Sequence, residues 1–110
     1  VTNPSKKKGS AWEVRLVSYL NEHGFPLAER RVQAGALDKG DIAGLPFVIE
    51  AKNCKAITLS AWMDEAEKEA KAAGTPRFAV VFPRRSHVTA KAFAVIPLWL
   101  LAELMQEATS

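Results

Sequence analysis

Gly40-Asp41-Ile42, then a Gly44-Leu45-Pro46 turn, then Phe47-Val48-Ile49-Glu50-Ala51-Lys52, is the stretch on which the fold depends. The apolar run reads as a buried strand, yet it carries two charges. Side chains alternate faces along a strand, so Glu50 and Lys52 share one face while Ile49 and Ala51 take the other. Charged side chains enter a core only when paired or bound to a metal. Two readings follow. One is an internal Glu–Lys pair on a half-exposed edge strand. The other is a divalent-metal site, with Asp41, nine residues before Glu50, as a second carboxylate.

Around this stretch the chain alternates helical and extended patterns. Residues 1–9 read as a flexible basic arm, and residues 10–110 as a single domain. A helix is expected from Ser10 to about His23, stopped by Gly24 as C-cap. Phe25 to Gln33 read as extended, and Ala34 to Gly40 as a loop. Asp41-Ile42-Ala43 forms a short strand, followed by a strand from Phe47 to Cys54. Thr58 or Ser60 can cap a second helix through Trp62 to Ala73, ended by Gly74 with Pro76 beyond. Arg77 to Phe82 is a continuous apolar strand, and Phe93 to Ile96 another short one. Pro97 opens a last helix reaching about Glu107. The order is αβββαββα, a mixed α/β domain with helices packed on a central sheet.

A chain of 110 residues is long enough for one core without disulfides. With 48% hydrophobic and 25% charged residues it has the composition of a globular domain rather than a disordered one. Nothing approaches the ~18 consecutive apolar residues of a membrane span, and the lysine-bearing start has no apolar stretch behind it, so it is not a secretory signal. Cys54 is the only cysteine. It follows a buried-strand pattern, fits a reducing compartment and argues against a disulfide scaffold or a structural zinc site.

The formal charge is only +3, but its distribution is uneven. Asp64, Glu65, Glu67 and Glu69 crowd together, while basic residues gather at Lys6, Lys7, Lys8, Arg30, Arg31, Lys39, Lys52, Lys55, Arg84 and Arg85. That asymmetry permits a basic face toward a phosphate backbone, with Lys6 to Lys8, Arg30, Arg31, Lys39 and Lys55 as its candidate contacts. Solvated loops and a solubilising tail are the plainer alternative. Arg84-Arg85-Ser86-His87 is a further candidate contact, again against a solvated loop.

The first helix adds a third carboxylate. At about 100° per residue, Trp12, Leu16, Val17 and Leu20 form one apolar stripe, and Glu13 falls inside it. Ser10-Ala11-Trp12-Glu13 also matches an S-x-x-E capping box, in which Glu13 reaches back to the Ser10 amide. A cap does not explain why Glu13 lies on the apolar side; a sheet bearing Asp41, Glu50 and Lys52 opposite it does. Mg²⁺ prefers oxygen ligands and keeps several waters, so two carboxylates plus phosphate oxygens suffice. On this reading Asp41 and Glu50 are direct ligands with the Ala51 carbonyl beside them. Glu13 binds through a metal water or a second ion, and Lys52 orients or deprotonates the attacking water.

At Lys8-Gly9, Glu13, Gly24-Phe25 ahead of Arg30-Arg31, Gly40-Asp41-Ile42 and Ile49-Glu50-Ala51-Lys52-Asn53, the chain resembles the PD-(D/E)xK nuclease superfamily. Within it, the chain is most similar to the archaeal-type Holliday-junction resolvases and their phage relatives. The resemblance covers about residues 8–82. It implies a restriction-endonuclease-like fold with a central mixed five-stranded sheet flanked by helices. It also implies Glu13, Asp41, Glu50 and Lys52 as the active-site set and Mg²⁺ as cofactor, with Mn²⁺ able to substitute. The expected protein is a homodimer acting on branched DNA in the cytoplasm, at the nucleoid. Another nuclease of the same fold (a nickase, flap or repair nuclease) and a non-catalytic DNA-binding module of that fold remain alternatives. Trp62, on the apolar face of helix two with Met63, Ala66 and Ala70, is expected in the core. Leu98-Trp99-Leu100-Leu101, apolar almost all round, is expected in the core or at a subunit interface.

Overall fold

Phe78-Ala79-Val80-Val81-Phe82 has apolar side chains on both faces, as a strand covered on both sides must. In the computed structural model, which describes residues 4–31 and 40–110 and only the backbone of 4–9, this strand is the centre of the sheet. It is β4 (Phe78–Phe82), flanked by β3 (Val48–Ala51) and β5 (Phe93–Val95). β3 runs parallel to β4, from Val48 opposite Phe78 to Ala51 opposite Val81, and β5 runs antiparallel, with Val80 opposite Val95. A parallel pair needs a crossover, and α2 (Leu59–Ala73) provides it.

The remaining two strands, β1 (Glu29–Arg30) and β2 (Ile42–Ala43), form a separate antiparallel pair. The protein is an α/β fold with the expected element order, but among the described residues its five strands lie in two sheets rather than one. The two sheets meet at Asp41. Asp41 N–H donates to the Ile49 carbonyl at 3.1 Å, but the next N–H on that edge, Ala51, goes to the Asp41 carboxylate at 2.8 Å. Gly44 (φ +82°) closes the β2–β3 turn where the backbone of Leu27 passes. A Cβ there would collide with the Leu27 carbonyl, so only glycine fits.

Two cores lie on either side of the three-stranded sheet. On one side Trp12 and Leu16 of α1 (Pro4–Glu22) pack with Ala28, Ile42, Ala79 and Val81, and the Trp12 indole N–H donates to the Val81 carbonyl at 3.2 Å. On the other, Trp62, Ala66 and Ala70 of α2 pack on Val48, Phe78 and Val80, so Trp62 is core as expected. α1 begins at Pro4, inside the stretch expected to be an arm, because proline suits a first helical turn and the lysines after it favour helix. Ser10 is therefore interior to the helix, and the Ser10–Glu13 capping box does not form. The far ends hold as expected: Gly24 has φ +101° with Phe25 N–H donating to the Leu20 carbonyl, and Gly74 caps α2 in the left-handed conformation. Thr58 is the N-cap of α2 but makes no side-chain hydrogen bond there.

α3 (Leu98–Ala108) is tied to the start of β4 by Arg77, which pairs with Glu103 and Glu107. Its Leu100 is buried, whereas Leu98, Trp99, Leu101 and Met105 are exposed. β3 is shorter than the expected Phe47–Cys54 strand. Lys52 N–H still bonds the Val81 carbonyl at 2.9 Å, after which the chain leaves the sheet. Cys54 is exposed for that reason, not buried. No described helix is long and apolar enough to cross a membrane.

Candidate metal centre and its basic cleft

The alternation expected along β3 is present. Ile49 and Ala51 pack into the α1 core, while Val48 packs into the α2 core, which sends Glu50 and Lys52 toward α2. Glu50 is 5% exposed. Its neighbours there are two glutamates one helical turn apart on α2, Glu65 and Glu69. Carboxylate oxygens of Glu50, Glu65 and Glu69 lie within 4.8 Å of one another. Lys52 closes the group, with Nζ 2.8 Å from Glu65 Oε2 and 3.4 Å from Glu50 Oε1.

Asp41 stands on the other flank of Glu50. Burial, then the Glu50 carboxylate, raises its pKa from 3.8 to about 8, against the opposing hydrogen bond from Ala51 N–H. Glu50 is raised from 4.5 to about 9, first by burial and then by the facing Glu69 and Glu65, with Lys52 opposing. Burial pulls Lys52 down, but the Glu65 hydrogen bond and the Glu50 and Glu65 charges outweigh it, so its pKa is raised and it stands as an ammonium. Glu50 Oε2 is buried and receives no hydrogen bond from an N–H or hydroxyl among the described residues. Several carboxylates crowded around one lysine resist ionising together, and Asp41 and Glu50 hold protons that a cation could displace. Hard oxygen donors in such excess suit a divalent cation of the Mg²⁺ or Mn²⁺ kind. Glu50, Glu65 and Glu69 would hold it, with Asp41 adjacent.

Of the residues singled out from sequence, Asp41, Glu50 and Lys52 are thus together. Glu13 lies on the α1 side of the sheet, 21% exposed, 3.4 Å from Arg30 Nε. Its charge reaches Asp41 only as the weakest contribution to that shift, and among the described residues it is outside the group able to share one ion. Ala51 touches the site through its N–H. Glu65 and Glu69 are the additions. Glu69 follows Trp62 by seven residues and Ala66 by three, so it falls on the apolar face of α2, the same signal that singles out Glu13 on α1. It is 2% exposed.

Where β3 and β4 end, a cleft of about 770 Å³ opens, lined by Arg15, Lys55, Arg84, Arg85, His87 and Phe93 among others. Lys55 therefore lines this cleft. Arg30 is engaged with Glu13, and Arg31 is half-buried, its N–H bonding the Asp41 carbonyl at 2.8 Å. The side chains of Lys6, Lys7 and Lys8, and the whole of Lys39 and the 34–39 loop, lie outside the described residues. No protein-family profile, curated protein or solved structure matches this chain.

Proposed function

We propose that the chain is a metal-dependent DNA endonuclease of the PD-(D/E)xK type, with a restriction-endonuclease-like fold. Its substrate is branched DNA, foremost a four-way junction, cut by a homodimer at the nucleoid in the cytoplasm. One observation carries this reading: Lys52 is bonded to Glu50 and Glu65 with Asp41 beside them, at the carboxyl ends of two parallel strands, where α/β sheets bind ligands. A buried ion pair needs one acid and one base. This site has one base and at least three acids, an excess that structural pairing does not require.

When bound, Mg²⁺ or Mn²⁺ polarises the phosphate and lowers the pKa of a coordinated water. Glu50 from the sheet and Glu65 and Glu69 from α2 would hold the ion, with Asp41 adjacent. Lys52, held as an ammonium, positions the attacking water and offsets charge accumulating on the phosphate. Ala51 N–H fixes the rotamer of Asp41. The test is cleavage of labelled four-way junctions, flaps and linear duplexes with Mg²⁺. Asp41→Asn and Lys52→Ala are expected to lose about 10²–10³-fold in rate. Paired, junction-selective nicks support the resolvase reading, and equal cutting of linear duplex removes it in favour of a less selective nuclease. Binding without cutting by the wild type favours a DNA-binding module.

A further inference from the structure

The cleft at the end of β4 is strongly cationic and has an aromatic floor. Arg15, Lys55, Arg84 and Arg85 line it, and no Asp or Glu is among its described lining residues. Phe93 is 45% exposed. Its ring rests on Phe82, with centroids 5.3 Å apart, and Arg84 Cζ lies 5.7 Å from its centroid. The loop that carries the arginines is shaped rather than slack. Ser86 takes a left-handed φ of +60°, a conformation that costs a non-glycine residue and persists only where its surroundings impose it. His87 N–H bonds the Arg84 carbonyl at 3.1 Å, and the His87 ring meets the Arg85 carbonyl at 2.7 Å. Arg15 is held by Thr89, its guanidinium donating to the hydroxyl at 3.3 Å.

We propose that this cleft binds single-stranded nucleic acid, stacking a base on the Phe93–Arg84 platform and taking the flanking phosphates on Arg85, Arg15 and Lys55. A duplex offers phosphates but no free base face, whereas an unpaired strand offers both. Asn53, on the cleft wall, directly follows Lys52 in the chain. The cleft thereby adds unpaired nucleotides to the features of branched DNA that the protein can hold. That extension rests on the nuclease reading, whereas the binding itself does not require it.

Fluorescence anisotropy in EDTA, where no metal is present for cleavage, tests the binding with fluorescein-labelled oligothymidine and a blunt duplex of equal length. Wild type is expected to prefer oligothymidine. Phe93→Leu, which keeps the packing on Phe82 but removes the π face, should weaken oligothymidine binding about tenfold and erase the preference. Arg84→Ala/Arg85→Ala should weaken both ligands and lower the salt slope on oligothymidine by about 0.7, the one phosphate contact that Arg85 supplies. Thermal unfolding confirms that each variant is folded. A wild type that prefers duplex, or a folded Phe93→Leu that keeps the single-strand preference, overturns the proposal. The expected binding pattern in a protein that cuts nothing with Mg²⁺ supports the cleft while removing the nuclease reading. Cleavage of branched DNA without single-strand preference does the reverse.

Discussion

The two faces of β3 belong to one four-residue strand and have opposite chemistry. Ile49 and Ala51 meet α1 in an apolar core sealed by Trp12, whereas Val48 meets α2 in a core interrupted by Glu50 and Lys52. Both faces are buried, so burial alone does not explain the charges. The α1 face shows that this sheet can be covered by apolar side chains. The α2 face accepts the cost of desolvating several carboxylates, for which an apolar replacement would be as stable or more so. The proposed cation site rests on that difference.

The largest effect should come from breaking the apolar face. Trp12→Ala removes a side chain 1% exposed together with its bond to Val81. It should cost about 3–5 kcal/mol, read by urea unfolding, with the loss independent of Mg²⁺. On the charged face, saturating divalent cation at a hundredfold excess over its Kd should stabilise the wild type by about 2.7 kcal/mol. The gain should be larger at alkaline than at mildly acid pH, because protons compete for the same carboxylates.

Proton linkage sharpens the contrast further. Asp41 and Glu50 are raised to about 8 and about 9, so the folded state keeps protons that the unfolded chain releases near pH 4. Their contribution to stability is therefore full in acid and is lost as pH rises from about 4 to about 9. Each group adds a slope of at most about 1.4 kcal/mol per pH unit. Glu50→Gln should flatten this loss in cation-free buffer, so that variant and wild type diverge as pH rises, whereas Trp12→Ala should shift the curve without changing its slope. The smallest effect belongs to Glu13. Its pair with half-exposed Arg30 is worth under about 1 kcal/mol, so Glu13→Gln should barely move the unfolding midpoint. A hundredfold loss of cleavage in that variant would bring Glu13 back into the chemistry.

Element order, both glycine C-caps, the two-faced character of β4 and the shared face of Glu50 and Lys52 were all legible from local pattern. Each depends on neighbours in sequence. What was not legible depends on pairing at a distance. The split into two sheets is one such pairing, and the Asp41 carboxylate on the Ala51 amide is another. Which helix covers the Glu50 face is set by the crossover of α2 and not by any property of α1, and for that reason Glu13 was expected opposite Glu50 when Glu65 and Glu69 occupy that place. Glu69 could have been found, since it sits at helical spacing from Trp62 and Ala66. Within an acidic run it reads as one more solvated charge. The start of α1 was missed because Ser10 is a good capping residue, and Pro4 with three lysines is an equally workable first turn.

The most direct test is the binding of Mn²⁺, followed by calorimetry and by its electron paramagnetic resonance signal, in wild type and Glu50→Gln at pH 8.5. Saturable binding in the wild type that is lost in Glu50→Gln, with both proteins folded, is the predicted result. Equal binding by the two proteins, or none by the wild type, would contradict a cation site built on the α2 face of β3.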